Sequence, residues 1–359
     1  MDIYEELRDH LDKMPTACPP APEINQILKI LFSEREAQVA LGLGFKPSAA
    51  NAVAEKTGVA EDEAKSCLEA LADKGVVYSR KKDGQVGYSL LPVMPGLFEF
   101  PYMKGKHDET IARLTPLWKE YLPKVTAALG SPSTAVMRVV TVQEEVQSEP
   151  GILTFEMLFE MIDRAKVTGL VHCACRELEE ECDRPREACM VFDDTCTFLV
   201  ERGFGRYLSK EEMKEKLREL DAAGLVHQVN NSQDRLTLIC NCCPCCCGLL
   251  KAYIEQGNKL LLLGSGFLPQ NDGDACTGCA ICADERCPVK AIEMVDERAS
   301  VAIEKCIGCG LCATGCPNEA MKMVKREDWP EPPETTTELG LRILKEKGKL
   351  ERFLELMTP

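Results

Sequence analysis

Apolar residues recur at helical spacing through the first forty positions. One run spans Met1 to Met14, a Pro-rich break (CPPAPE) begins at Cys18, and Ile24, Ile27, Leu28, Leu31 and Phe32 mark a helix over Ile24 to Ala40. Between Lys46 and Leu91 the pattern shortens. Ser48 can cap a helix over Ala49 to Lys56, a turn at Gly58 leads into a second over Glu61 to Lys74, and Gly75 closes it. VVYSRKK and QVGYSLL then flank Asp83-Gly84, a strong hairpin signal. Pro92 to Met103 reads as an extended linker and Asp108 to Leu129 as one or two helices. Arg138 to Gln143 reads as a strand and Thr154 to Val167 as a helix. A helix, a Gly and a short apolar strand start recur at Gly75 (GVVY), Gly169 (GLVH) and Gly224 (GLVH). Gly suits a helix C-cap, and the order implies α/β packing in the middle third. The helix before Gly224 opens with Ser209 and Glu212 in capping-box spacing. A Pro-rich stretch from Trp329 precedes a final helix, Glu338 to Met357. Its stripe of Leu341, Leu344, Leu350, Phe353 and Leu354 needs cover from its own chain or from a second copy, so a homo-oligomer through this helix is an open expectation.

The helix, turn, helix, hairpin order of 46–91 resembles a winged helix-turn-helix module. Such a module reads DNA with the N-terminal residues of its second helix and needs positive charge there. Here that end is Glu61-Asp62-Glu63, and the first hundred residues carry eleven basic against sixteen acidic side chains. Only Arg80, Lys81 and Lys82 in the hairpin are basic as a group. Charge therefore argues against DNA as a partner and for a docking or structural role. The whole chain, at −15, points the same way and suits partners with basic faces.

The 359 residues hold 21 cysteines, nineteen of them between Cys173 and Cys316. The acidic, amphipathic start MDIYEELRDHL lacks the basic and apolar regions of a signal peptide, and the longest aliphatic run, Leu260 to Leu263, cannot span a membrane. Tight cysteine runs in such a chain suit metal ligation better than cross-linking. The expectation is a reduced, cytoplasmic, metal-loaded protein, consistent with an anaerobe.

Cys306, Cys309, Cys312 and Cys316, followed by Pro317, form C-x2-C-x2-C-x3-C-P without deviation. Cys276, Cys279, Cys282 and Cys287, followed by Pro288, form the same pattern with one extra residue before the fourth cysteine. Three thiolates at two-residue gaps can wrap three corners of a cubane, and the intervening Gly residues let amides approach its sulfides. Over Asp272 to Lys325 the chain resembles the bacterial two-[4Fe-4S] ferredoxins. That resemblance implies a crossover of the fourth ligand: Cys276, Cys279, Cys282 and Cys316 on one [4Fe-4S] cluster, and Cys306, Cys309, Cys312 and Cys287 on the other. VKAIEMV and NEAMKMV, from Val289 and Asn318, repeat as matching halves. Zinc fits these runs poorly, because zinc sites pair C-x2-4-C elements rather than stringing three together.

A second cysteine field lies upstream. HCACR, from His172, gives Cys173 and Cys175; Cys182, Cys189 and Cys196 follow; then CNCCPCCC packs six cysteines into residues 240–247. Pro244 suits the first turn of a helix continuing through Cys245 to Gln256, whose amides would then face Cys242 to Cys246. Neighbouring cysteines diverge on either a helix or a strand, so all six cannot serve one compact site. The expected additional metal site combines Cys173, Cys175, Cys182 and Cys189 with Cys242, Cys243, Cys245 and Cys246. Cys240 and Cys247 are assigned to packing, and Cys18 and Cys67 are expected to be unliganded. One or two further iron–sulfur clusters, or one larger one, are the preferred occupants; zinc and metal-free thiol redox chemistry stay open, as do His172 and His227 as ligands.

Over Val136 to Lys325 the chain resembles a group of anaerobe iron–sulfur proteins carrying HCxCR and NCCxCCC ahead of a dicluster domain. That resemblance implies electron transfer. The expected fold class is α+β multidomain. A helical and winged-helix-like domain covers 1–100, a helical linker 101–135 and a cysteine-rich α/β domain 136–264. A two-[4Fe-4S] ferredoxin module covers 265–327, and a Pro-rich linker with a C-terminal helix 328–359. The expected function is relay of low-potential electrons through two [4Fe-4S] clusters to or from the further cysteine site and a partner redox enzyme. A reductase with its substrate site at CNCCPCCC, or a redox sensor acting through the winged helix, are the alternatives. No glycine-rich dinucleotide fingerprint, P-loop or Ser-His-Asp arrangement is present. Catalytic residues are not assignable from sequence.

Overall fold

The computed structural model describes residues 2–142 and 154–357. Seven helices and one hairpin make up the first part of the chain. They are α1 (Ile3–Leu11), α2 (Pro22–Leu31), α3 (Glu34–Leu41), α4 (Ala50–Thr57), α5 (Glu61–Lys74), β1 (Val77–Lys82), β2 (Gln85–Leu90), α6 (Glu99–Met103) and α7 (Glu109–Leu129). The single helix expected over Ile24 to Ala40 is two. Phe32 leaves helical geometry, and Ser33 restarts the chain with a reciprocal capping box to Glu36, a stop and start contributing about 1 kcal/mol. Ser48 does not cap α4; its backbone exchanges hydrogen bonds with Tyr88 on β2 instead. The linker expected over Pro92 to Met103 contains α6 and buries Phe98, Phe100, Tyr102 and Met103. Apolar side chains at nearly every position pull that stretch into the core, against α7, where the Trp118 and Phe98 rings meet at a tilt, centroids 5.3 Å apart.

The middle of the chain winds a seven-stranded sheet. Its elements are β3 (Met137–Val139), α8 (Phe155–Arg164), β4 (Thr168–His172), α9 (Ala174–Glu179), β5 (Glu187–Phe192), α10 (Asp193–Glu201), β6 (Gly205–Tyr207), α11 (Lys210–Ala222), β7 (Val226–Asn230), β8 (Leu238–Cys242), α12 (Gly248–Gln256) and β9 (Leu262–Leu263). The strand order is β6-β4-β5-β8-β7-β3-β9, antiparallel except where β3 meets β9. Gln143, the end of the expected strand, lies outside the described residues. Gly75 and Gly224 adopt left-handed caps, but Gly169 sits inside β4. A side chain at Gly169 would press on the Cys196 thiol and the Arg206 carbonyl, so packing, not capping, requires glycine there. One sheet face carries Leu170, Met190 and Ile239 towards α8 and α11; the other carries Val171, Cys189 and Val191 towards α6 and α10.

The third part contains β10 (Phe267–Asn271), β11 (Ile292–Val295), β12 (Arg298–Val301), α13 (Leu311–Thr314) and β13 (Met321–Lys325), in two antiparallel pairs, β10 with β13 and β11 with β12. The final helix expected over Glu338 to Met357 is two, α14 (Thr336–Glu346) and α15 (Leu350–Glu355), broken at left-handed Gly348. Leu344, Phe353 and Leu356 join the core of the N-terminal helices. Part of the stripe, Leu344, Leu350 and Phe353, is thus covered by its own chain, while Leu341 and Leu354 stay exposed. No described helix is long and apolar enough to cross a membrane.

Candidate metal centres

Two cavities open between the strand pairs of the third part. One, with about 360 Å³ of atom-free space including part of the solvent mouth, is lined by Cys276, Cys279, Cys282 and Cys316 together with Met294 and Met321. The other, about 300 Å³, is lined by Cys287, Cys306, Cys309 and Cys312 with Ile292 and Ile307. The fourth cysteine of each run thus faces the other run's cavity. Backbone amides point at the sulfurs: Ala291 N–H to Cys287 Sγ at 3.1 Å, and Gly308 N–H to Cys306 Sγ at 3.4 Å. The amides of Ala299 and then Gly278 hold the Cys276 thiol below its usual pKa, while burial pushes Cys309 up to about 12. Gly308 has φ +68°, and a side chain there would overlap the Phe267 carbonyl and Ser265 hydroxyl. The extra residue before Cys287 is absorbed by one wide helical turn, Cys282–Arg286. That turn aims Arg286 at the Leu311 and Ala222 carbonyls. Four thiols converging on a cavity, with amides directed at sulfur, fit a cubane cluster at each position.

Residues 268–317 match the 4Fe-4S dicluster domain family. The dicluster domain brings iron–sulfur chemistry to the chain. An uncharacterised ferredoxin of Methanocaldococcus jannaschii is 38% identical over 86 residues, 23% of this chain and 49% of its own length. An uncharacterised protein of Methanothermobacter thermautotrophicus is 39% identical over 56 residues, 15% of this chain and 12% of its own. The chain thus spans about half or less of the length of these relatives. No solved structure matches it.

The eight upstream cysteines, expected to hold one or two further clusters or one larger one, do not gather around a single point. They divide, and Cys240 and Cys247, assigned to packing, join one of the groups. Cys182, Cys243, Cys245 and Cys246 place their sulfurs within 4.8 Å of one another. The remaining thiols are linked pairwise by their effects on one another's titration, in the order Cys189, Cys240, Cys242, Cys247, Cys175, Cys173. Its two ends, Cys173 and Cys189, lie within electrostatic reach of each other. Strand geometry explains this nest. Cys189 on β5 lies opposite Cys240 on β8, and Cys242 follows Cys240 on the same face, two residues on. Cys173 follows β4 as the N-cap of α9, which carries Cys175, and Cys247 is the N-cap of α12.

CNCCPCCC is therefore split by its own secondary structure. Pro244 does not begin a helix: residues 244–246 form a turn, and α12 starts at Gly248 with Cys247 as its N-cap. The helix amides consequently serve Cys247, not Cys242 to Cys246. Thiols of Cys175 and Cys242, then the Leu250 and Leu249 amides, bring the Cys247 pKa down. Cys189 and Cys242 lower the Cys240 pKa, while the same pairings raise Cys175, Cys189 and Cys242.

One buried cation stands between the two groups, and sequence reasoning passed over it. Arg176 on α9 is 1% exposed and donates twice to the Asn241 carbonyl at 3.0 Å. It also donates to Cys243 Sγ at 3.6 Å, while Cys173 and Cys242 lie close enough to strengthen its charge. Its place within HCACR was the available signal. Glu99, its carboxylate accepting from the Gly96 amide, is pushed by burial to about 8, with Cys240 and Cys173 adding to the rise. Neither histidine turns to the thiols. His172 donates to Glu177 at 2.8 Å, and buried His227 donates to Asn241 Oδ1 at 2.5 Å. Cys196 is buried in α10, and Cys18 packs on the Tyr121 hydroxyl at 3.6 Å.

Proposed function

We propose that this protein transfers low-potential electrons between a partner redox enzyme and a centre held by the six-thiol nest, through the dicluster domain. Cys276, Cys279, Cys282 and Cys316 would hold one [4Fe-4S] cluster, and Cys306, Cys309, Cys312 and Cys287 the other. Clusters of this kind, when bound, take up and release single electrons at low potential. The carrying observation is the unequal placement of the two cavities. Ile307, Cys309 and Leu311 share a core with Cys242, Cys243, Cys246 and Cys247. Cys276, Cys282 and Cys316 pack only in the outer core around Ile292 and Met321, and Cys279 is exposed. Electrons would enter beside Cys279 and leave inward past Cys309.

The chain's own groups hold that path rigid. Val142 N–H donates to the Cys309 carbonyl at 3.0 Å, and the Thr141 hydroxyl to the Gly308 carbonyl at 3.0 Å. Six thiols exceed what one tetrahedral ion accepts, so the nest suits a polynuclear centre, iron–sulfur in this reading.

The unit of α4, α5, β1 and β2 would act as a winged-helix-like cover rather than a DNA reader. Arg202 reaches Glu69, Asp73 and Ser79 across it, Arg80 pairs with Asp194 at 2.9 Å, and the Tyr78 ring packs at a tilt on Phe198, centroids 5.0 Å apart. The side of the unit bearing these groups is thus engaged with its own chain, which supports a structural role over a sensor that docks on DNA.

Anaerobic purification with iron and sulfide counting tests the relay. The expected result is more than the about eight irons of a dicluster domain, falling on Cys240→Ser while the dicluster EPR signals persist. A count of about eight, unchanged in that variant, would remove the nest from the path.

A further inference from the structure

The thiols of Cys182, Cys243, Cys245 and Cys246 stand too close together for a cubane. Cys182 Sγ lies 3.8 Å from Cys243 Sγ and 3.8 Å from Cys246 Sγ, and Cys245 lies 3.9 Å from Cys246. Four thiolates around one zinc ion, with bonds of about 2.3 Å, sit about 3.8 Å apart along the edges of the tetrahedron. On a cubane each thiolate bonds a different iron, so the four sulfurs spread around a larger body. The dicluster cysteines instead line open cavities, whereas these four sulfurs all lie within 4.8 Å of one another.

We propose that Cys182, Cys243, Cys245 and Cys246 bind a single tetrahedral zinc ion in a closed, structural site. Thiolate-only sets of four with no open position suit this ion. The donors and ion together carry two negative charges, and two arginines face them. Arg176 donates to Cys243 Sγ at 3.6 Å and Arg184 to Cys245 Sγ at 3.8 Å. The ion would tie the loop after α9, which bears Cys182, to the turn between β8 and α12. Cys242 and Cys247 flank that turn and belong to the nest, so the ion fixes the spacing of two nest thiols. The metal assignment stands on the sulfur geometry alone; only this last purpose rests on the relay reading.

The test uses the full chain produced anaerobically with iron and zinc both supplied. Metal analysis should give about one zinc per chain, and zinc K-edge absorption should show four sulfurs at about 2.3 Å. Cys245→Ser should lose the zinc and keep its iron. Cys245→His should keep the zinc, since three cysteines and a histidine also satisfy it. A protein without zinc, in which Cys245→Ser sheds about four irons, overturns the proposal; so does zinc bound mainly through nitrogen or oxygen. One zinc beside only about eight irons leaves the clasp standing and sinks the redox role of the nest. Should Cys245→Ser fail to fold, the absorption spectrum of the unaltered protein decides the matter.

Discussion

The dicluster domain and the cysteine field upstream both gather thiols, but they do so by opposite means. In 276–316 each set of four is nearly complete within one short run. Backbone amides and left-handed glycines, Gly278 and Gly308, shape the cavity, and only one cysteine per set crosses over. In 173–247 no run forms a site by itself. Antiparallel register brings Cys189 against Cys240, two helix starts add Cys175 and Cys247, and a buried arginine supplies the charge that amides supply elsewhere. A local design repeats as a recognisable spacing. A design made by a sheet leaves only scattered cysteines in the sequence, and it depends on tertiary packing for every contact.

Substitutions can break that contrast in graded ways. The largest effect is expected from Cys309→Ser, which removes a thiol at the inward cavity. Rapid-mixing spectroscopy with a low-potential donor should still show reduction at the outward cluster, but no passage to the upstream field. Next comes Arg176→Met. Removing a buried cation opposite several thiols should cost about 3–5 kcal/mol, seen as a lowered denaturation midpoint and loss of metal from the upstream field alone. If the dicluster signals fall equally, the two regions do not differ in the way described.

A pH effect of similar kind should follow from His227. Burial depresses its pKa to about 4, and its neutral ring donates to Asn241 on β8. The unfolded chain, with a histidine pKa of about 6.5, binds more protons between those values. Stability should therefore fall as pH drops from about 6.5 towards 4, by up to about 3 kcal/mol. His227→Gln should flatten that slope in denaturant titrations. The smallest effect belongs to Arg202→Ala. It loosens the docking of β1 and α5 by about 1 kcal/mol and should leave the metal content of both regions unchanged, sharpening the contrast as a control.

Much of this was legible in the sequence at the level of elements. The α5 helix and the Asp83-Gly84 turn stand where Gly75 and the hairpin signal put them. The crossover sets written from the ferredoxin-type spacing are the sets that line the two cavities. The cysteine field was read less well, for a definable reason. Alternation within LICNC puts Cys240 and Cys242 on one face, and that was visible; the partner strand carrying Cys189 was not. Pro244 suits a helix's first turn because it lacks an amide hydrogen, but residues 244–246 form a turn and the helix starts only at Gly248. The break at Phe32-Ser33 was signalled by Ser33 and Glu36 and overridden by the longer apolar stripe. Gly169 shows the converse error, a glycine read as a cap that the sheet needs for its closeness to Cys196.

The central claim is that electrons entering the dicluster domain reach the six-thiol nest. Reductive titration of the anaerobic protein tests it most directly, with EPR at each point and Cys240→Ser in parallel. The account predicts uptake beyond the about two electrons that two [4Fe-4S] clusters accept, with the excess lost in Cys240→Ser. Uptake of about two electrons in both proteins would contradict it.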